Sequence, residues 1–311
     1  MEKIELPQSC SSHCYDCIFY SLLKYYNHDY KAYALKYFYT DYIVPAEGLG
    51  NVLTRGKYYN HHRYIFQNVY NISITSINIE DPLIIVETIC SLSKEYQVII
   101  DIDPYYCYWT TFYNRSHINH AILILDIDYL NNEFICFDVY FNSVGYIKLS
   151  FETVKRHCKE LYKCNFKTEN ELIIDSLLRT VYNSTDSFED NLSRKKLELI
   201  NYFLLNEQLI TSLKDIETSM LLINLLWISE DKKNFSIGLR YLEEKVEKLN
   251  FSTVYGLLES SSQHFYILRS LIIKSSITGQ LKKEKLKEIV DQLLEMDALT
   301  VLQLKSVLNR L

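Results

Sequence analysis

Apolar and polar positions along this chain follow two different periods, and the change falls near residue 150. In the first half, "QVIIDID" (Gln97 to Asp103), "HAILILDID" (His120 to Asp128) and "EFICFDVYF" (Glu133 to Phe141) are short runs rich in β-branched and aromatic residues, which predicts strands. The "LNN" between the last two suits a hairpin turn. Ahead of them, "CIFYSLLKYYN" and "DPLIIVETICSLSKEY" read as helices. The second offers Asp81 as N-cap and Pro82 at the first helical position, where a missing N–H costs nothing.

From Phe151 onward the period is helical. "FETVKRHCKELYK", "NELIIDSLLRTVY", "SRKKLELINYFLL", "TSMLLINLLWI", "GLRYLEEKVEKL" and "KEKLKEIVDQLLEMDALTVLQLKSVLNRL" all place apolar residues three and four apart. All four prolines (Pro7, Pro45, Pro82, Pro104) fall in the first third, and four of the seven glycines precede Phe151, so the halves are also punctuated differently. The expected architecture is α+β. An N-terminal helix packs on an antiparallel sheet within residues 1–150, and a helical domain of residues 151–311 packs on that core without a flexible linker.

Composition narrows the function classes. With 311 residues and 48% hydrophobic content a large core is available. "MEKIELPQSC" contains no apolar run, and no uncharged stretch long enough to cross a bilayer follows. The expectation is a cytoplasmic protein with no membrane partner, its eight cysteines kept as thiols. The net charge of −6 belongs to the first half, where 10 Lys+Arg face 16 Asp+Glu through Ser150, against 23 of each afterwards. No basic footprint of the kind that grips phosphates is present, so no nucleic-acid partner is expected.

The chemistry concentrates in "LPQSCSSHCYDCIFYSLLKYY", where Cys10, Cys14 and Cys17 are spaced C-x3-C-x2-C. This spacing resembles that of radical S-adenosylmethionine enzymes, which hold a four-iron cluster through three thiolates. Against it stand Asp16 where that family carries an aromatic residue, the lack of a following glycine-rich stretch, and a pattern unlike a parallel β/α barrel. A zinc site would need a fourth ligand, and His13 is awkwardly adjacent. The other reading is a nucleophile. A reactive thiol needs a helix N-terminus, an imidazole and an oxyanion pocket. Cys14 stands on the first turn of a helix whose Ile18, Leu22 and Tyr25 share a face, with Ser11 or Ser12 available to cap it.

Gln8, then Cys14 opening a helix, then Tyr25-Tyr26-Asn27 a dozen residues on, resembles the layout of papain-like cysteine enzymes, including the double-glycine leader peptidases of bacteriocin exporters. In that family the glutamine donates to the oxyanion, a histidine heads a strand, and an Asp or Asn follows on the next strand. The matching positions are His120 and Asp138. Over roughly residues 5 to 145, "HCYDCIFYSLLKYYNHD" and "VIIDIDPYY…HINHAILILDIDYLNNEFICFD" are similar to the N-terminal domain of butirosin-type acyltransferases, and the closthioamide-type amide synthetases of natural-product pathways use the same logic. The resemblance implies a papain-like core with the triad Cys14, His120 and Asp138, and Gln8 in the oxyanion hole. It implies a phosphopantetheine thioester on an acyl or peptidyl carrier protein as donor, a small-molecule amine as acceptor, and no metal or cofactor of the enzyme's own. Asn27 in place of Gly, and "ILDID" in place of Gly-Tyr-Asp, depart from the pattern at turn and packing positions.

Other residues carry second readings. Cys17 is the fallback nucleophile, although it puts the tyrosine pair three residues too close and Gln8 three too far. His13 and His117 are substitutes for His120 and, with Asp103 and Tyr105, candidate substrate contacts. Cys10 falls in the loop before the helix, while Cys90, Cys107, Cys136, Cys158 and Cys164 read as structural. Asp101, Asp103, Asp126 and Asp128 read as exposed strand-end caps or, alternatively, as carboxylates for a cationic amine. Lys155, Lys159 and Lys163, beside Arg156, would form one helical stripe for docking an acidic carrier, as would Ser193 to Lys196. A cysteine peptidase with the same triad, an iron–sulfur enzyme and a non-catalytic scaffold are the competing functions.

Overall fold

The structure, a computed structural model, describes residues 4, 13–38, 42–43, 54–55, 58–79, 81–140, 143–166, 172–186 and 192–310. In chain order the elements are α1 (Cys14–Tyr25), a 3-10 stretch (Tyr30–Phe38), β1 (Tyr42–Ile43), β2 (Thr54–Arg55), α2 (Tyr58–Asn68), β3 (Ile74–Ile77), α3 (Ile85–Leu92), β4 (Gln97–Ile102), β5 (His120–Asp128), β6 (Glu133–Tyr140), β7 (Ser143–Ser150), α4 (Phe151–His157) and β8 (Cys158–Cys164). Among the described residues the helices that follow are α5 (Ile174–Asp186), α6 (Leu192–Leu205), α7 (Glu207–Thr211), α8 (Met220–Lys245), α9 (Ser252–Thr278) and α10 (Lys283–Leu308). The fold class is α+β. The chain divides into two compact units, Met1–Tyr30 with Phe66–Leu172, and Lys31–Ile65 with Ile173–Leu311. Residue 150, the expected boundary, falls inside the first of these. Among the described residues no helix is long and apolar enough to cross a membrane.

The first unit is built on a six-stranded antiparallel sheet of order β3-β8-β4-β5-β6-β7. Alternation along β4 sends Val98, Ile100 and Ile102 into a core shared with Ile85 and Ile89 of α3, Val154 of α4, and Ile122, Ile124, Phe134 and Cys136. Ile99 and Asp101 take the other side of the strand. The β5–β6 hairpin turns where "LNN" stands. Asp128 accepts from the Asn131 backbone at 3.2 Å and from its side-chain amide at 2.8 Å, and Asn132 takes φ 54°, a conformation Asn tolerates better than most residues. A register shift between Ile124 and Asp126 marks a bulge farther along β5.

Helix α1 ends where its sequence expects. The His28 N–H donates to Leu23 O at 2.8 Å and the Asn27 N–H to Lys24 O at 3.1 Å, the paired bonds of a Schellman cap. Asn27 holds the left-handed position at φ 58°, so the departure from Gly at this site is conformationally sound. The N-cap is His13, whose side chain makes no capping bond, and not a serine. Asp81 and Pro82 open a 3-10 turn (Pro82–Ile84) ahead of α3, with Asp81 Oδ1 accepting from Leu83 N at 2.9 Å.

"FETVKRHCKELYK" is the main correction. It is helical only to His157; Cys158 turns extended and β8 fills the slot between β3 and β4. A helix there would leave the backbone edges of both strands unpaired. Lys155 therefore sits on α4 while Lys159 and Lys163 sit on β8, and no single helical stripe exists. Lys159 Nζ instead approaches Asp103 Oδ2 at 3.5 Å, and Lys163 lies over the Tyr96 ring.

In the second unit, α6 to α10 enclose a core containing Leu199, Phe203, Leu222, Leu225, Phe265, Leu268, Ile289 and Leu293. "TSMLLINLLWI" and "GLRYLEEKVEKL" belong to one helix, α8, that continues through Gly238. That glycine faces Leu35, where an added Cβ would stand 2.8 Å from the Leu35 backbone N. Helix α9, unread in the sequence because its serines and Gly256 blur the apolar stripe, packs between α8 and α10. Lys232 and Asp297 form a buried ion pair at 2.8 Å, and Ser261 donates to the same carboxylate oxygen at 3.0 Å.

Candidate active site

The site forms where the N-terminus of α1 meets the head of β5. Cys14 is the first residue of α1 and is buried, with its sulfur 3.4 Å from the Ala121 backbone N–H, which donates to it. The Cys14 thiol and the His120 side chain are hydrogen-bonded. His120 Nε2 lies 3.0 and 2.9 Å from the two carboxylate oxygens of Asp138, which leaves Nδ1 as the nitrogen for the sulfur. The β5–β6 register explains the Asp138 placement. Leu123 pairs with Phe137, so Asp138 lies across from Ile122, on the face of His120 and one diagonal step away.

Electrostatics favour a charged ring. Burial works against the imidazolium, but the Asp138 charge and hydrogen bond, followed by the Cys14 contacts, outweigh it and push the His120 pKa up to about 10. Trp109 Nε1 donates to Asp138 Oδ2, so that carboxylate is also gripped from the loop that runs from a 3-10 turn (Pro104–Tyr106) to β5. The indole also packs against the core beneath the sheet. Sequence reading passed Trp109 over, although a tryptophan eleven residues before the candidate base, in a loop of aromatic residues, was the available signal.

Burial raises the pKa of Cys107 and of Cys158 to about 12, and raises those of Cys90, Cys136 and Cys164, the behaviour of inert structural thiols. Cys17 is buried one turn farther along α1 with its N–H bonded to His13 O. Cys14, Cys90, Cys107, Cys136, Cys158 and Cys164 are free thiols. The antiparallel sheet also departs from the parallel barrel that the cluster reading required.

Asp103, His117 and Tyr105 come together beside the site. His117 Nδ1 is 2.8 Å from Asp103 Oδ2, the His117 and Tyr105 rings stack at 4.2 Å, and the Tyr105 N–H donates to Asp103 Oδ1 at 3.1 Å. Partial burial tends to raise the Asp103 pKa, but the His117 bond, the Tyr105 amide and Lys159 hold it below the usual value. Asp103 is thus a 3-10 N-cap and ion-pair partner rather than an exposed carboxylate. Asp128 caps the hairpin turn as expected, but Asp126 lies within β5 at the bulge and accepts from the Ile127 N–H, and Asp101 is fully buried, contrary to the expected exposed cap. His13 stacks on Tyr15 at 5.9 Å. Gln8, Cys10, Ser11 and Ser12, and the side chains of Ser193 to Lys196, lie outside the described residues.

Fold and site together define an α+β protein with a buried thiol–imidazole–carboxylate relay at a helix N-terminus. No protein-family model matches the chain, and no curated protein matches its sequence.

Proposed function

We propose that this chain is a thiol-dependent acyltransferase that forms amides through a cysteinyl acyl-enzyme. The observation that carries the reading is the continuous hydrogen-bonded run Cys14–His120–Asp138. An imidazolium held by a carboxylate and facing a sulfur stabilises a thiolate, the form that attacks carbonyl carbon. The sulfur adds to a thioester carbonyl, and the backbone N–H of Cys14, free of an intrahelical partner at the helix start, donates to the developing oxyanion. Gln8 is the second donor that the papain-like resemblance suggests. The tetrahedral adduct collapses by expelling the donor thiol, which takes its proton from His120. An amine then attacks the acyl-enzyme while His120 accepts a proton, and the amide leaves as the thiolate is restored.

A cysteine peptidase would use the same three groups. The similarity to butirosin-type and closthioamide-type enzymes suggests a carrier-bound thioester and a small amine. Intact-protein mass spectrometry after incubation with acyl thioesters tests the reading. A mass gain abolished by Cys14→Ala and kept in Cys17→Ala, then discharged by amines faster than by water, is expected. Loss only in Cys17→Ala would move the nucleophile, and discharge by water alone would make the enzyme a hydrolase.

A further inference from the structure

We infer that Asp101 is a positioning residue whose carboxylate ties the turn of α1 that carries Cys14 to the head of the strand that carries His120. The inference rests on the nucleophile reading above. Asp101 lies on β4 across from Ala121, on the face away from Ile100 and Ile102, and is fully buried. Its Oδ2 accepts from the Tyr15 hydroxyl at 3.0 Å, and Tyr15 directly follows Cys14. Its Oδ1 accepts from the His120 backbone N–H at 3.1 Å, while the next amide, Ala121, donates to the Cys14 sulfur. One carboxylate therefore holds the His120 main chain directly and the residue after Cys14 through its side-chain hydroxyl. Bonds to an ionised acceptor are shorter and stronger than neutral ones, so the charge of Asp101 sets how tightly thiol and ring are held.

Asp101 is approached from three elements. Tyr15 faces it from α1 and His120 from β5, while β8 brings Cys158, Lys159 and Glu160. Burial, with Glu160 adding to it, outweighs the Tyr15 and His120 bonds and Lys159, and the Asp101 pKa rises to about 6. In mildly acid solution the carboxylate takes up a proton, one oxygen becomes a hydroxyl, and the brace slackens. The pair should then lose reactivity although neither Cys14 nor His120 has been altered.

Iodoacetamide labelling of the full chain, read at Cys14 by peptide mass spectrometry between about pH 5 and about pH 9, tests this. The wild type should show an acid limb centred near pH 6. Asp101→Asn should erase that limb and label about tenfold more slowly at neutral pH, the cost of exchanging charged for neutral hydrogen bonds. Tyr15→Phe should move the limb to higher pH, because the lost hydroxyl no longer holds the carboxyl down. Asp101→Asn labelling at the wild-type rate with its limb intact, or a limb unmoved in Tyr15→Phe, would overturn the inference alone. Wild-type Cys14 labelling no faster than a free thiol would overturn the nucleophile reading with it.

Discussion

Replacing Asp138 by Asn removes the charge that keeps the His120 ring protonated while preserving its shape and one acceptor oxygen. The rise of the His120 pKa from 6.5 to about 10 corresponds to ~5 kcal/mol of preference for the imidazolium, and Asp138 supplies the two largest favourable contributions. Without them burial dominates, and a fully buried ring becomes neutral at pH 7. Labelling of Cys14 in Asp138→Asn should then be about tenfold slower than in the wild type at each pH of the mildly acid range, because only the wild type keeps its imidazolium partner there. The same ion pair stabilises the fold. Because the folded pKa lies above the unfolded value, the contribution is complete below pH 6.5 and is lost as pH rises through about 10. Wild-type melting temperature should therefore drop across that window, and Asp138→Asn should melt lower in the neutral range with a flatter profile. Equal labelling rates in the two proteins at mildly acid pH, or a His120 proton resonance titrating at the same pH in both, would refute the assignment of Asp138 as the ring's counter-ion.

Trp109→Phe should lower acylation about fivefold to tenfold with little change in melting temperature, since it deletes one hydrogen bond to Asp138 and keeps most of the packing. Gly238→Ala should destabilise by about 1–3 kcal/mol in a denaturant titration, because its Cβ meets the Leu35 backbone, while Gly256→Ala, with open space around it, should stabilise α9 by up to ~1 kcal/mol. Lys232→Met should cost about 3–5 kcal/mol by removing the counter-ion of buried Asp297, and adding Asp297→Leu should recover much of that loss. If the double variant is no more stable than Lys232→Met in the same titration, the ion-pair account of that site fails.

How much was legible in the sequence follows the range of the forces involved. Helix α1, strands β4 to β6 and the Asp81–Pro82 helix start were readable because periodicity, capping and turn chemistry act over a few residues. The long α8 was split at Gly238 and α9 was overlooked, because a helix buried on several sides does not need a clean amphipathic stripe. The lysine stripe failed for a related reason. The spacing in "FETVKRHCKELYK" satisfies a helix, but the vacancy between β3 and β4 claims its second half.

By itself the sequence determined that Cys14 opens a helix and that His120 and Asp138 stand on neighbouring strands of a hairpin, since alternation and a short turn fix both; the bulge between Ile124 and Asp126 then shifts the register so that the two side chains share a face. Tertiary structure alone decided that the sulfur reaches the head of β5, 107 residues away, that Trp109 grips Asp138, and that Asp101 is buried between α1 and β5. Those outcomes depend on which distant surfaces exclude water together, and no local pattern encodes that.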